Sequence, residues 1–171
     1  MIIRIPRDAM VVLIGPSGSG KSTFAARHFA PTEVLSSDAL RAMVADDPND
    51  QTATDAAFEL LHALLAMRLA RRRLTVVDAT SVEAWARERL LAVARRVGRP
   101  VIAIVFDLPL TICLERNAAR ADRRVPPAAI RRQHARMRTS LVGLAPEGFE
   151  PVVLLATTDA VDGISVKRAG A

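Results

Sequence analysis

The run Gly15-Pro-Ser-Gly-Ser-Gly-Lys-Ser22 fits the spacing G-x-x-x-x-G-K-[ST], which has a definite chemical use. Glycines let successive backbone N–H groups turn inward around an anion. A helix that starts directly behind them adds partial positive charge. Lys21 would then reach the β- and γ-phosphates of a nucleoside triphosphate, ATP by default, and the Ser22 hydroxyl would ligate magnesium. The expected nucleotide cradle is therefore Gly15, Ser17, Gly18, Ser19, Gly20, Lys21 and Ser22, followed by Thr23.

Three further groups could complete a site. Asp78 closes the apolar run Leu74-Thr-Val-Val. An acid at the carboxyl end of a parallel strand helps hold magnesium or its waters, or it caps the next turn. In Ser36-Ser-Asp-Ala-Leu-Arg41, Asp38 and Arg41 stand three apart, on one helical face. The aspartate could accept a hydroxyl proton while the arginine positions an acceptor phosphate. Equally, Asp38 could merely complement a helix dipole. Arg116, Arg120 and Arg123 recur at spacings of four and three with no matching acidic stripe. They form either a lid that neutralises a transferring phosphoryl group or an ordinary solvated basic face. His134 falls in an apolar stripe with Ile130, Met137 and Leu141 and reads as a packing histidine. Cys113, the single cysteine, reads as buried and inert, and Phe24 and Trp85 as core.

The elements that must hold these groups follow from periodicity. Apolar runs at Met10–Ile14, Glu33–Ser36, Leu74–Asp78, Pro100–Phe106 and Pro151–Leu155 predict five strands. Between them, helical patterns cover about Ser22–Phe29, Ser37–Val44 (with Ser37 as cap), Thr52–Arg72, Glu83–Val97, Leu110–Asp122 and Pro127–Leu141. Strands that are apolar on both sides and alternate with helices predict an α/β fold: one domain, a five-stranded parallel sheet covered on both faces, and a helical arginine lid. The stretch from Thr157 to Ala171 is weakly patterned and is expected to fray.

Composition narrows the class. The chain has 171 residues, half of them hydrophobic, enough for one well-buried core. One cysteine rules out an intrachain disulfide and points to a reducing, cytoplasmic setting. The longest apolar runs are strand-sized, so no bilayer span is expected, and the start lacks a signal-peptide layout. Lys plus Arg number 24 against 18 acids, a net charge of +6, and only Lys21 and Lys167 are lysines. A basic, arginine-rich surface favours phosphate-bearing partners.

Beyond the glycine loop, the segments Pro31-Thr-Glu-Val-Leu-Ser-Ser-Asp38, Asn49-Asp-Gln-Thr52, Leu74-Thr-Val-Val-Asp-Ala-Thr80, Glu115-Arg-Asn117 and Asp122-Arg-Arg-Val125 resemble the kinase module of bacterial polynucleotide kinase-phosphatases, which repair RNA. The resemblance runs from about Ile5 to Leu155. It implies transfer of the γ-phosphate of a nucleoside triphosphate to the 5′-hydroxyl end of RNA or DNA. Asp38 matches the family's general base, Arg41 its acceptor-positioning arginine, and Arg116, Arg120 and Arg123 its lid. Phosphatase and ligase-like modules accompany the kinase in that family. They do not fit within this chain, so those activities are expected to be missing here. Two other readings remain open: a kinase of a small metabolite, and a nucleotide-gated binding module without catalysis.

Overall fold

The structure, a computed structural model, describes residues 1–121 and 125–169. Five strands, β2 (Met10–Ile14), β3 (Val34–Ser36), β4 (Thr75–Asp78), β5 (Val101–Phe106) and β6 (Val152–Leu155), form one sheet. Its order is β3-β4-β2-β5-β6, and every pairing is parallel. Parallel neighbours need crossovers, and helices supply them. These are α1 (Lys21–His28), α2 (Ser37–Ala45), α3 (Thr54–Ala70), α4 (Ala84–Arg96), α5 (Leu110–Ala118), α6 (Pro127–Ser140) and the short α7 (Leu144–Glu147).

The alternation of side chains along β2 splits the core in two. Met10, Val12 and Ile14 pack with Leu61, Leu65 and Leu69 of α3 and with Leu90, Leu91 and Ala94 of α4. Val11 and Leu13 face the opposite layer, with Phe24 and Ala25 of α1, Cys113 of α5 and Ile130 of α6. Phe24 sits edge-on to Phe106 at 5.3 Å between ring centres. The expected α/β architecture, with a five-stranded parallel sheet covered on both faces, is the observed one.

Several local expectations are corrected. Ser36, rather than Ser37, caps α2: its Oγ accepts the Ala39 N–H at 3.4 Å, while Ser37 is already helical and buried. α5 stops at Ala118, so Arg120 lies beyond the helix. Trp85 is 66% exposed, not core, because it sits on the outer side of the first turn of α4. The described part of the carboxyl-terminal stretch carries regular structure instead of fraying. Thr157 caps a short helix α8 (Thr158–Asp162), and β7 (Ser165–Arg168) pairs in parallel with β1 (Ile2–Ile5) as a separate two-stranded sheet. No helix of the described residues is long and apolar enough to cross a membrane.

Candidate active site

The first βα turn carries the glycine loop, and three of its glycines are there for stated reasons. Gly18 and Gly20 have φ of +82° and +95°, a region that side chains with a Cβ rarely adopt. A Cβ on Gly18 would run into the carbonyl oxygen of Cys113, and one on Gly20 would lie 3.3 Å from a guanidinium nitrogen of Arg116. A Cβ on Gly15 would stand 2.9 Å from the Ser19 hydroxyl. The loop is thus closed underneath by β5 and on one side by α5.

Lys21 is 7% exposed. Its Nζ donates to the carbonyls of Gly15 at 2.8 Å and Pro16 at 2.9 Å, and lies 3.4 Å from the Ser19 hydroxyl. The backbone therefore fixes the ammonium inside the curl of the loop. Gly15 donates its own N–H to the Thr80 carbonyl at 3.0 Å and Ser19 is fully buried, so both shape the cradle from below. Ser17, Gly18, Gly20, Lys21, Ser22 and Thr23 line a cleft of about 600 Å³ above it.

Asp38, Arg41, Asp78, Arg116 and Arg120 line the same cleft. Asp78 is 6% exposed at the end of β4, and among the described residues no ion pair or side-chain hydrogen bond engages it. A nearly buried carboxylate left in this way, beside the Ser22 hydroxyl and a phosphate cradle, suits a magnesium ion that takes its remaining ligands from phosphate oxygens and water. Asp38 pairs with Arg41, which is buried and also donates from Nε to the Pro48 carbonyl at 3.4 Å. Burial pushes the Arg41 guanidinium down from its ordinary value. Asp38 stands in the first turn of α2, and its carboxylate is paired with Arg41 in the cleft.

The lid arginines part company. Arg116 and Arg120 are half-buried over the loop rather than solvated. Arg123 lies outside the described residues. Asn117, buried between the two, accepts the Val125 N–H and donates to the Val125 carbonyl, both at 2.9 Å. It ties α5 to the start of α6. Burial raises the Cys113 thiol, opposed by nearby Lys21 and Arg116, so the cysteine stays protonated and inert.

Some contributors carried no sequence signal. Gln133 of α6 accepts the Ser17 N–H at 2.9 Å, a contact across 116 positions. Thr54 and Phe58 line the cleft from the start of α3 and Val161 and Asp162 from α8, while Gln51, in the turn before α3, belongs to the Asn49–Thr52 segment singled out in the sequence. Arg87 is fully buried. It forms a two-pronged pair with Glu147 (2.7 and 2.6 Å) and donates to the carbonyls of Ser81 and Val82, which holds the loop after Asp78. His134 is a boundary histidine, with Nε2 3.0 Å from the Leu108 carbonyl.

A lysine-bearing glycine loop between a parallel strand and a helix, with an acid at the end of the neighbouring strand, defines a nucleotide-binding protein of the phosphate-loop class. Residues 10–142 match the AAA_33 model, an AAA domain, and the chain belongs to that family. Among curated proteins none matches it. Several solved structures share the fold. One from the Pnkp1/Rnl/Hen1 RNA repair complex is 21% identical with a TM-score of 0.67, over 81% of this chain and 46% of that one. A gluconokinase from Sinorhizobium meliloti 1021 is 21% identical with a TM-score of 0.57, over 92% and 87%. A chain of the AvrRxo1-ORF1:-ORF2 complex with ATP is 15% identical with a TM-score of 0.67, over 91% and 56%. The protein thus spans less than half the length of the RNA-repair chain it resembles.

Proposed function

We propose that this chain is a polynucleotide 5′-hydroxyl kinase that moves the γ-phosphate of ATP to the 5′-OH end of RNA or DNA, in nucleic-acid repair. The observation that carries this reading is the Asp38–Arg41 pair. It lies in the Ser36-Ser37-Asp38 segment and shares the cleft with the phosphate loop. A carboxylate oriented by a buried guanidinium can take the proton of an acceptor hydroxyl.

In this reading Asp38 takes the proton of the 5′-hydroxyl as its oxygen attacks the γ-phosphorus. The bond from that phosphorus to the β–γ bridging oxygen breaks, and ADP leaves with the electron pair. Lys21, Arg116 and Arg120 offset the charge on the moving phosphoryl group, and Arg123 is assigned to the same task by resemblance alone. Arg41 orients the Asp38 carboxylate and faces the acceptor's own phosphate. Ser22 and Asp78 would hold magnesium, which when bound screens the phosphate oxygens. Phosphatase and ligase-like modules are the partners this reading expects.

Labelled phosphate transfer to a 5′-hydroxyl oligonucleotide, measured in single turnover, tests the proposal. Lys21→Ala should abolish transfer. Asp38→Asn should cut it by about 10²–10⁴-fold while ATP affinity stays within about threefold. Transfer to sugars or nucleosides but not to the oligonucleotide would make the chain a small-metabolite kinase. ATP binding without transfer to any acceptor would make it a nucleotide-gated binding module.

A further inference from the structure

At the opposite end of the sheet, where the strands begin, lies a second groove of about 580 Å³. Thr32 and Glu33, just before β3, form part of its wall, and the rest comes from three arginine-bearing parts of the chain: the turn after β1, the end of α3 with the turn that follows it, and β7. Arg7, Arg68, Arg72, Arg73 and Arg168 line the groove, with Glu33 the lone carboxylate among its lining residues.

The charges are unevenly compensated. Glu33 pairs with Arg168 at 2.7 Å. Asp8 is shared between Arg72 at 3.2 Å and Arg99 at 2.7 Å. Arg68 is held by neutral partners only, the Thr75 hydroxyl at 3.1 Å and the Leu74 carbonyl at 2.8 Å, so its charge is fixed in place without being cancelled. Among the described residues no carboxylate pairs with Arg7 or Arg73. The end of α3 would ordinarily repel an anion through its free carbonyls. Here the N–H groups of Arg71, Arg72 and Arg73 occupy the carbonyls of Arg68 and Leu69. Arg72 has a φ of +56°, which turns the chain sharply within this arginine run.

We propose that this groove is a second anion site, which holds the phosphodiester backbone of a nucleic-acid strand. One phosphate needs one or two guanidinium groups. Five of them spread over three segments match a run of phosphates better than a single ion. Affinity would therefore be salt-dependent and indifferent to sequence. The site is independent of the catalytic reading: a kinase of sugars would bind the strand here just as well.

The test uses a single-stranded oligonucleotide that already carries a 5′-phosphate, so it offers no acceptor hydroxyl. Anisotropy is followed over a salt series for the wild type and the double variant Arg7→Gln/Arg73→Gln. A matched double variant, Arg89→Gln/Arg96→Gln, removes two equally exposed arginines of α4. The groove variant should bind roughly tenfold more weakly, and its slope of log affinity against log salt should fall by about 1.4, at about 0.7 per lost phosphate contact. Its ATP affinity should be unchanged, which shows that the fold and the cleft survive. Equal losses in both double variants would reduce the groove to general surface charge and overturn the proposal. So would strand binding that ignores the groove substitutions while inorganic pyrophosphate binds the wild type and not the groove variant, since that outcome makes the groove a site for free phosphates.

Discussion

Arg116 approaches the glycine loop from α5 with its guanidinium against Gly20, where a γ-phosphate would lie. A planar, two-pronged donor in that position stabilises charge that grows only as the phosphoryl group moves. Arg116→Ala should therefore lower single-turnover transfer by about 10²-fold or more, and Arg116→Lys should recover little, because an ammonium offers one point of contact. Full activity of the alanine variant would return Arg116 to a bystander. At this scale the sequence was informative where chemistry depends on local spacing. Lys21, Ser22 and Asp78 stand where their motifs put them, and Asp38 and Arg41 meet because three residues make one helical turn face. Gln133 was illegible for the converse reason. Its contact with Ser17 exists only after α6 folds back over the loop, and no pattern around a glutamine on a basic helix announces that.

Asn117 does for the lid what no single arginine can. Its carboxamide satisfies both backbone groups of Val125 and so brackets the segment between α5 and α6, with Arg116 on one side and Arg120 within. Asn117→Ala would remove both hydrogen bonds to the half-buried Val125 backbone, a local loss of about 0.5–1.5 kcal/mol each. The expected result is faster tryptic cleavage after Arg120, together with slower transfer and nearly unchanged stability of the sheet. Limited proteolysis and transfer rates on one preparation check this, and a protected Arg120 with slow transfer would contradict it. Most elements were readable because the sheet strands are continuous apolar runs and the helices keep an apolar period of 3.6. β1 and β7 were not. Each has four residues, and what makes them strands is the partner at the far end of the chain. α5 was overextended because arginine spacing continues the helical period past the point where the backbone leaves it.

At the scale of the whole molecule, two half-buried histidines make the fold sensitive to acid. His28 and His62 are both held below the ordinary histidine value of 6.5, chiefly by burial, with Arg27 and Arg168 adding to the effect at His28 and Arg89 at His62. Each keeps a buried Nε2 without a hydrogen-bond partner. The unfolded chain takes up these protons near pH 6.5, whereas the folded one resists them. Stability present above 6.5 should thus decline as pH falls from 6.5 toward the lower folded values. Urea midpoints at pH 7.5 and 5.5 should show the drop, and His28→Gln/His62→Gln should reduce it. An unchanged wild-type midpoint would contradict this assignment.

The parallel pairing of β1 with β7 has a mechanical side as well. Ser165 donates to the Met1 carbonyl at one end of that ladder, and Ala169 donates to the Ile5 carbonyl at the other. Tension applied to residues 1 and 169 drags the two strands in opposite directions along their length. Such a load falls on every rung of the ladder together instead of peeling them one by one. Tethered at both ends, the molecule would be gripped by its least conspicuous sheet, and the phosphate cleft would be shielded from strain until that grip slips.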